Sequence, residues 1–145
     1  MTVDDVIRFY QEFSPLSVER IPEIYSDDAF FKDPFNEVRG PTAIQRVFSH
    51  MYTQIEEPRF IVKEKIGDDR NAVLVWELHF VTQFFREKKS QVIRGISHFK
   101  FNEAALINCH RDYWDANEEL FVKLPGIGFL MRGLRKAFAA PDSHF

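Results

Sequence analysis

Apolar positions in the first third of the chain recur at helical spacing. Val3, Val6, Ile7, Tyr10 and Phe13 form one set, Val18, Ile21, Ile24 and Tyr25 a second, and Ile44, Val47, Phe48 and Met51 a third. Each set marks one side of a helix. Thr2 stands three residues before Asp5, as in a capping box with Asp in the usual place of Glu or Gln. The first helix should close near Ser14-Pro15; the second should start at Ser17, with Pro22 in its first turn or kinking it. Between the second and third sets lies a short alternating strand, Ala29 to Asp33, stopped by Pro34. Proline donates no ladder bond and forces the residue before it to be extended, so Asp33 is fixed where a strand ends. Phe35 to Gly40 reads as a loop, and Pro41 suits the first turn of a helix running to Tyr52.

After the Gln54 to Pro58 connection the period changes to two, and branched and aromatic residues dominate. Arg59 to Ile66 alternates, Gly67 to Arg70 turns, and Asn71 to Gln83 forms a strand. Its Leu74, Trp76, Leu78 and Phe80 make a drier face than Val73, Val75, Glu77 and His79. A charged tip at Arg86 to Lys89 leads into Gln91 to Phe101, with Ile93, Gly95, Ser97, Phe99 and Phe101 on one side. The last strand, Leu106 to Asp115, puts Asn108, His110, Asp112 and Trp114 together and Ile107, Cys109, Arg111, Tyr113 and Asp115 opposite. Helical character returns at Asn117, breaks at Leu124 to Gly126, and resumes with Ile127, Leu130, Met131, Leu134 and Phe138 opposite Arg132, Arg135 and Lys136. That basic face could rest weakly on a membrane surface of anionic lipid. In the plainer reading it is solvated while the apolar stripe packs on the sheet or a subunit neighbour.

Length and composition narrow the reading. A chain of 145 residues suits one domain, with a core over about 1–116 and a helical extension over 117–140. The 16 Phe, 2 Trp and 4 Tyr either fill a core or line an apolar cavity. A net charge of -3, without a basic face before the C-terminus, argues against general nucleic-acid binding. Cys109 is the single cysteine, which excludes an intrachain disulfide. Zinc-type clusters, helical histidine pairs and phosphate-binding glycine loops are absent from the sequence, so no metal and no cofactor is expected. The N-terminal MTVDDVIRFYQ resembles neither a secretory signal nor a membrane span, and a cytoplasmic location is the expectation.

Two marks carry a resemblance: YSDDAFFKDPF followed by Arg39-Gly40, and Arg111-Asp112-Tyr113-Trp114-Asp115 ending the last strand. With the helix and strand order they resemble the nuclear transport factor 2-like superfamily, in particular SnoaL-like domains and ketosteroid isomerases. The resemblance implies an α+β fold, a cone-shaped α+β barrel with three N-terminal helices packed on a curved antiparallel sheet, to which the C-terminal amphipathic helix is added. It lays the role of general base on Asp33 and that of a hydroxyl donor to a developing enolate on Tyr10. Where the isomerases hold a protonated aspartate as second donor, this chain has Ser97, a weaker one. That departure turns attention to a site built around His110 and Asp112, in which the imidazole acts as acid or base beside a carboxylate. Trp76, Ser97, Trp114, Leu74, Phe80 and Phe99 would line a pocket for a small apolar molecule. The outer sheet face, with Glu77, His79, Arg94 and His98, would pair two copies as a homodimer.

Each assignment has a structural alternative. Asp33 can cap the loop amides that follow it, Tyr10 can be a core residue with a satisfied hydroxyl, and His110 and Asp112 can lie on a solvated strand edge. Two functions remain open. One is an isomerase, cyclase or hydratase using a pocket aspartate; the other is a non-catalytic binder of a lipid-like ligand or protein partner.

Overall fold

The computed structural model describes residues 1–84, 87–116 and 127–139. In chain order the elements are α1 (Val3–Gln11), α2 (Pro15–Glu19), α3 (Ile21–Ile24), β1 (Tyr25–Lys32), β2 (Glu37–Arg39), α4 (Pro41–Gln54), β3 (Glu56–Gly67), β4 (Asn71–Phe84), β5 (Glu87–Phe101), β6 (Ile107–Tyr113) and α5 (Ile127–Phe138). Residues 1–114 form one compact α+β unit, and 115–145 a second that contains α5.

The first helix forms for the reason its sequence gives. Asp5 N–H donates to Thr2 Oγ1 at 3.3 Å, and Thr2 N–H donates back to Asp5 Oδ2 at 2.8 Å, so two otherwise orphaned amides are satisfied together. The donation from the Thr2 amide holds the Asp5 carboxyl below its usual range. Val3, Val6, Phe9 and Tyr10 are the buried residues of α1. The second helical stretch differs from expectation. Its cap is Ser14 and Pro15 sits in the first turn, because Ser17 Oγ accepts from Ser14 N–H at 3.0 Å and so acts as the third residue of the box rather than as the cap. Pro22 opens a separate turn, α3, which ends at Ile24. Tyr25 therefore begins a strand and does not close a helix.

Six strands form one curved sheet in the order β2-β1-β6-β5-β4-β3. The expectation of an antiparallel sheet needs one correction, since β1 and β6 run parallel, with Phe31 opposite His110. They are distant in sequence and meet only after the β3–β4–β5 meander has crossed the sheet. Glu37–Arg39, read as loop, folds back on β1 with Lys32 opposite Glu37.

A register shift in β6 overturns a second expectation. Phe101 pairs with Ile107 and Lys100 with Cys109, so Asn108 is an extra residue, and a bulge of this kind turns the following side chains over. Ile107 and His110, expected on opposite faces, are consequently both buried. Leu74, Trp76, Leu78 and Phe80 on β4 are buried as their alternation predicts. They join Val6, Ile21, Phe31, Ile44, Phe48 and Phe99 in one core between α1, α4 and the sheet.

In α5, Leu130, Leu134 and Phe138 are exposed. The helical stretch expected from Asn117, the break at 124–126 and the hairpin-tip residue Arg86 lie outside the described residues. Among the described residues no helix is long and apolar enough to cross a membrane.

Candidate functional site

A cavity opens inside residues 1–114, walled by Phe48, Phe60, Val62, Leu74 and Phe99, with Tyr10, Trp76, Ser97, His110 and Asp112 as its polar edge. About 20 Å³ of it is open to the centre of a water molecule, room for about one water. The aromatic rings are packed close: Phe48 lies 5.8 Å from Tyr10, and Phe60 5.9 Å from Trp76, centroid to centroid.

The polar side chains form one unbroken hydrogen-bonded chain. Tyr10, on the inner side of α1, places its hydroxyl 2.5 Å from that of Tyr25. Tyr25, the first residue of β1, reaches His110 Nδ1 at 2.6 Å. On the other side of the ring, Nε2 lies 2.7 Å from Asp112 Oδ1; the pair stands at alternate positions of β6, so strand period alone puts both on one face. Ser97 is directly opposite Asp112 across the β5–β6 ladder and donates to the same Oδ1 at 2.5 Å. Trp76 Nε1 donates to Ser97 Oγ at 2.7 Å. His110 is 2% exposed, with Phe99 tilted against it at 4.3 Å and Phe31 edge-on at 4.8 Å between centroids.

Bond directions follow from chemistry. An ionised carboxylate only accepts, so His110 donates through Nε2 to Asp112. Both side-chain bonds to Asp112 converge on Oδ1, and Oδ2 takes none among the described residues. Burial pushes the hydroxyls of Tyr10 and Tyr25 well above the ordinary tyrosine value; both stay protonated and serve as neutral donors or acceptors.

Trp76 owes its position to a missing side chain. It pairs with Gly95 on β5, and a Cβ there would fall 2.6 Å from the indole Cη2 and 3.0 Å from Trp114 Cβ. The indole occupies the space that a side chain at Gly95 would fill and delivers its N–H to Ser97.

Of the residues singled out from sequence, Tyr10, Leu74, Trp76, Ser97, Phe99, His110 and Asp112 meet at the cavity. Phe80 is core and does not line it, and Trp114 packs edge-on to Phe35 at 5.5 Å. Asp33 is also outside the lining. Its Oδ1 accepts from the backbone amides of Phe35 and Asn36 at 2.8 and 2.6 Å, and the Asn36 side-chain amide reaches both oxygens at 3.1 Å. The carboxylate clasps its own turn, the loop-capping alternative. Tyr25 is the member of the hydrogen-bonded chain that sequence reading missed, and Phe48, Phe60 and Val62 are the missed residues of the cavity wall. The place of Tyr25 two and three alternations before Ala29 and Phe31, on the same strand parity, is the signal that could have found it. Among the described residues no group of three His, Cys, Asp or Glu is placed to hold a metal ion.

Several solved structures share this architecture. A protein named for the SnoaL-like polyketide cyclases from Shewanella putrefaciens superposes with a TM-score of 0.68 at 13% identity, covering 81% of this chain and 94% of that one. An NTF2-like protein of unknown function from Burkholderia pseudomallei gives 0.68 at 15% identity, with 80% and 92% covered. A ketosteroid isomerase-like fold from Catenulispora acidiphila, solved with trimethylamine, gives 0.63 at 11% identity, with 81% and 88% covered. At such identities the likeness is one of fold. No curated protein sequence matches. The SnoaL-like domain family, however, matches directly in sequence over residues 6–110, from the first turn of α1 to the histidine of the cavity, and this chain belongs to that family.

Proposed function

We propose that this chain is a small-molecule enzyme of SnoaL-like type that moves a proton on a mainly apolar substrate, in an isomerisation, cyclisation or hydration, with Asp112 as proton acceptor. The observation that carries the reading is the placement of that carboxylate: it lines the cavity, its Oδ1 is held by Ser97 and His110, and its Oδ2 takes no bond among the described residues. A carboxylate fixed by one oxygen keeps the other aligned for an activated C–H, while a neutral hydroxyl such as Tyr10 can meet the oxygen that gains charge. The apolar wall suits a substrate with little polar surface. The polyketide-cyclase name of the Shewanella protein favours carbonyl-rich substrates within this class.

The test is turnover of a panel of enolisable ketones and epoxides by wild type, Asp112→Asn and Asp33→Asn. Loss of a general base costs on the order of 100-fold or more, so Asp112→Asn should fall by at least that while Asp33→Asn stays within a few-fold. The reverse ranking would return the role of base to Asp33.

One observation favours the second reading, a binder without chemistry. The open space is about 20 Å³, and a ligand must displace aromatic side chains to enter. Absence of turnover across the panel, together with a small molecule retained through purification, would establish the binder.

A further inference from the structure

Tyr25 is buried, does not itself line the cavity, and joins the two cavity-lining residues Tyr10 and His110 through bonds of 2.5 and 2.6 Å. We propose that Tyr25 is a reversible proton relay, which carries a proton between the Tyr10 hydroxyl at the cavity and His110 Nδ1 and in doing so reverses the hydrogen-bonding sense of Tyr10.

Nε2 of His110 is committed to Asp112 in either charge state, so Nδ1 is the position that gains or loses a proton. With the ring neutral, Nδ1 is a lone pair; Tyr25 must donate to it, and Tyr10 must donate to Tyr25. The cavity then faces only the lone pairs of Tyr10. A proton reaching the Tyr10 oxygen from the cavity moves the Tyr10 proton to Tyr25 and the Tyr25 proton to Nδ1. One proton has left the cavity and one has arrived on the ring. Both tyrosines are neutral again, and the positive charge sits beside Asp112. The two bonds between Tyr10 and Nδ1 now point the other way, while Nε2 still donates to Asp112, and the Tyr10 hydroxyl is a donor into the cavity.

The surroundings fit a relay. The groups facing the ring are Tyr10 from α1, Tyr25 and Phe31 from β1, Phe99 from β5 and Asp112 from β6. Of these only Asp112 is a carboxyl group, and its Oδ1 lies 2.7 Å from Nε2, placed to compensate an imidazolium. Neither tyrosine ionises readily when buried, so charge comes to rest at the ends of the path and not in its middle. The use of the relay rests on the proton-transfer reading of the cavity; the bond directions do not, and they can be measured without a substrate.

The experiment is long-range 1H–15N NMR of the full chain labelled at histidine, with 13Cζ-labelled tyrosine, followed through a pH titration. The expected wild-type result is a neutral His110 protonated at Nε2, with Nδ1 shifted as an acceptor and the Tyr10 Cζ signal moving in step with ring protonation. In Tyr25→Phe, which keeps the ring and removes the hydroxyl, the neutral Nδ1 signal should move to the position of an unbonded lone pair. The Tyr10 signal should no longer follow the ring. A neutral ring protonated at Nδ1 would overturn the proposal from the wild type alone. So would a Tyr10 signal that ignores the ring. Should the spectra agree while Asp112→Asn retains full turnover, the relay stands and the assignment of Asp112 as base falls.

Discussion

Asp33 and Tyr25 show at the scale of single residues what a sequence does and does not disclose. Pro34 fixes the backbone of Asp33 and thereby its place at the end of β1, but the direction of a short acid is decided by the nearest donors, and the amides of Phe35 and Asn36 lie within 2.8 Å. A turn clasp of this kind contributes on the order of 1 kcal/mol. Asp33→Ala should therefore lower the urea midpoint by about that amount of stability and leave the histidine signals of the cavity untouched. Tyr25 was hidden for the converse reason. Counted with Val18, Ile21 and Ile24 it completes a helical stripe; counted with Ala29 and Phe31 it opens a strand. Only the second count puts its hydroxyl beside His110. The cavity residues on β4, β5 and β6 were legible because a period of two assigns faces without knowledge of partners. Phe48, Phe60 and Val62 were not, since which core side chain borders a hollow depends on packing between elements.

At the scale of elements the strands and helices followed their periodicity, and the departures came where one residue breaks it. Asn108 is such a residue: the bulge it makes lets Ile107 and His110 share the inner face, which an unbroken alternation forbids. The parallel β1–β6 pairing was equally illegible, because local pattern carries no information about the direction of a distant partner. The seat of the Trp76 indole against β5 depends on Gly95. A methyl group there meets Trp76 at 2.6 Å, in a core where overpacking costs roughly 1–3 kcal/mol. Gly95→Ala should lower the thermal midpoint accordingly. It should also change the fluorescence of Trp76, as the indole leaves its bond to Ser97.

At the scale of the whole molecule, the buried tyrosines tie global stability to alkaline pH. Both hydroxyls sit above the ordinary value of 10.0 in the folded chain, and in the unfolded chain they ionise near about 10. Above that pH the unfolded state binds fewer protons than the native state, so stability is complete below it and declines as pH rises further. Guanidinium midpoints measured from about pH 8 to 11 should fall at the upper end, and the double variant Tyr10→Phe, Tyr25→Phe should fall less steeply. The apolar core that must withstand this lies within residues 1–114.

Asp112 is tethered through a single oxygen from two directions, by a serine on the neighbouring strand and a histidine on its own. Such a group cannot spin about its last bond to offer both edges equally. Under the proposed chemistry, a prochiral carbon held beside it would exchange hydrogen on one face alone. The handedness of the product would then be dictated by Ser97 and His110, two side chains that never form a bond to the substrate.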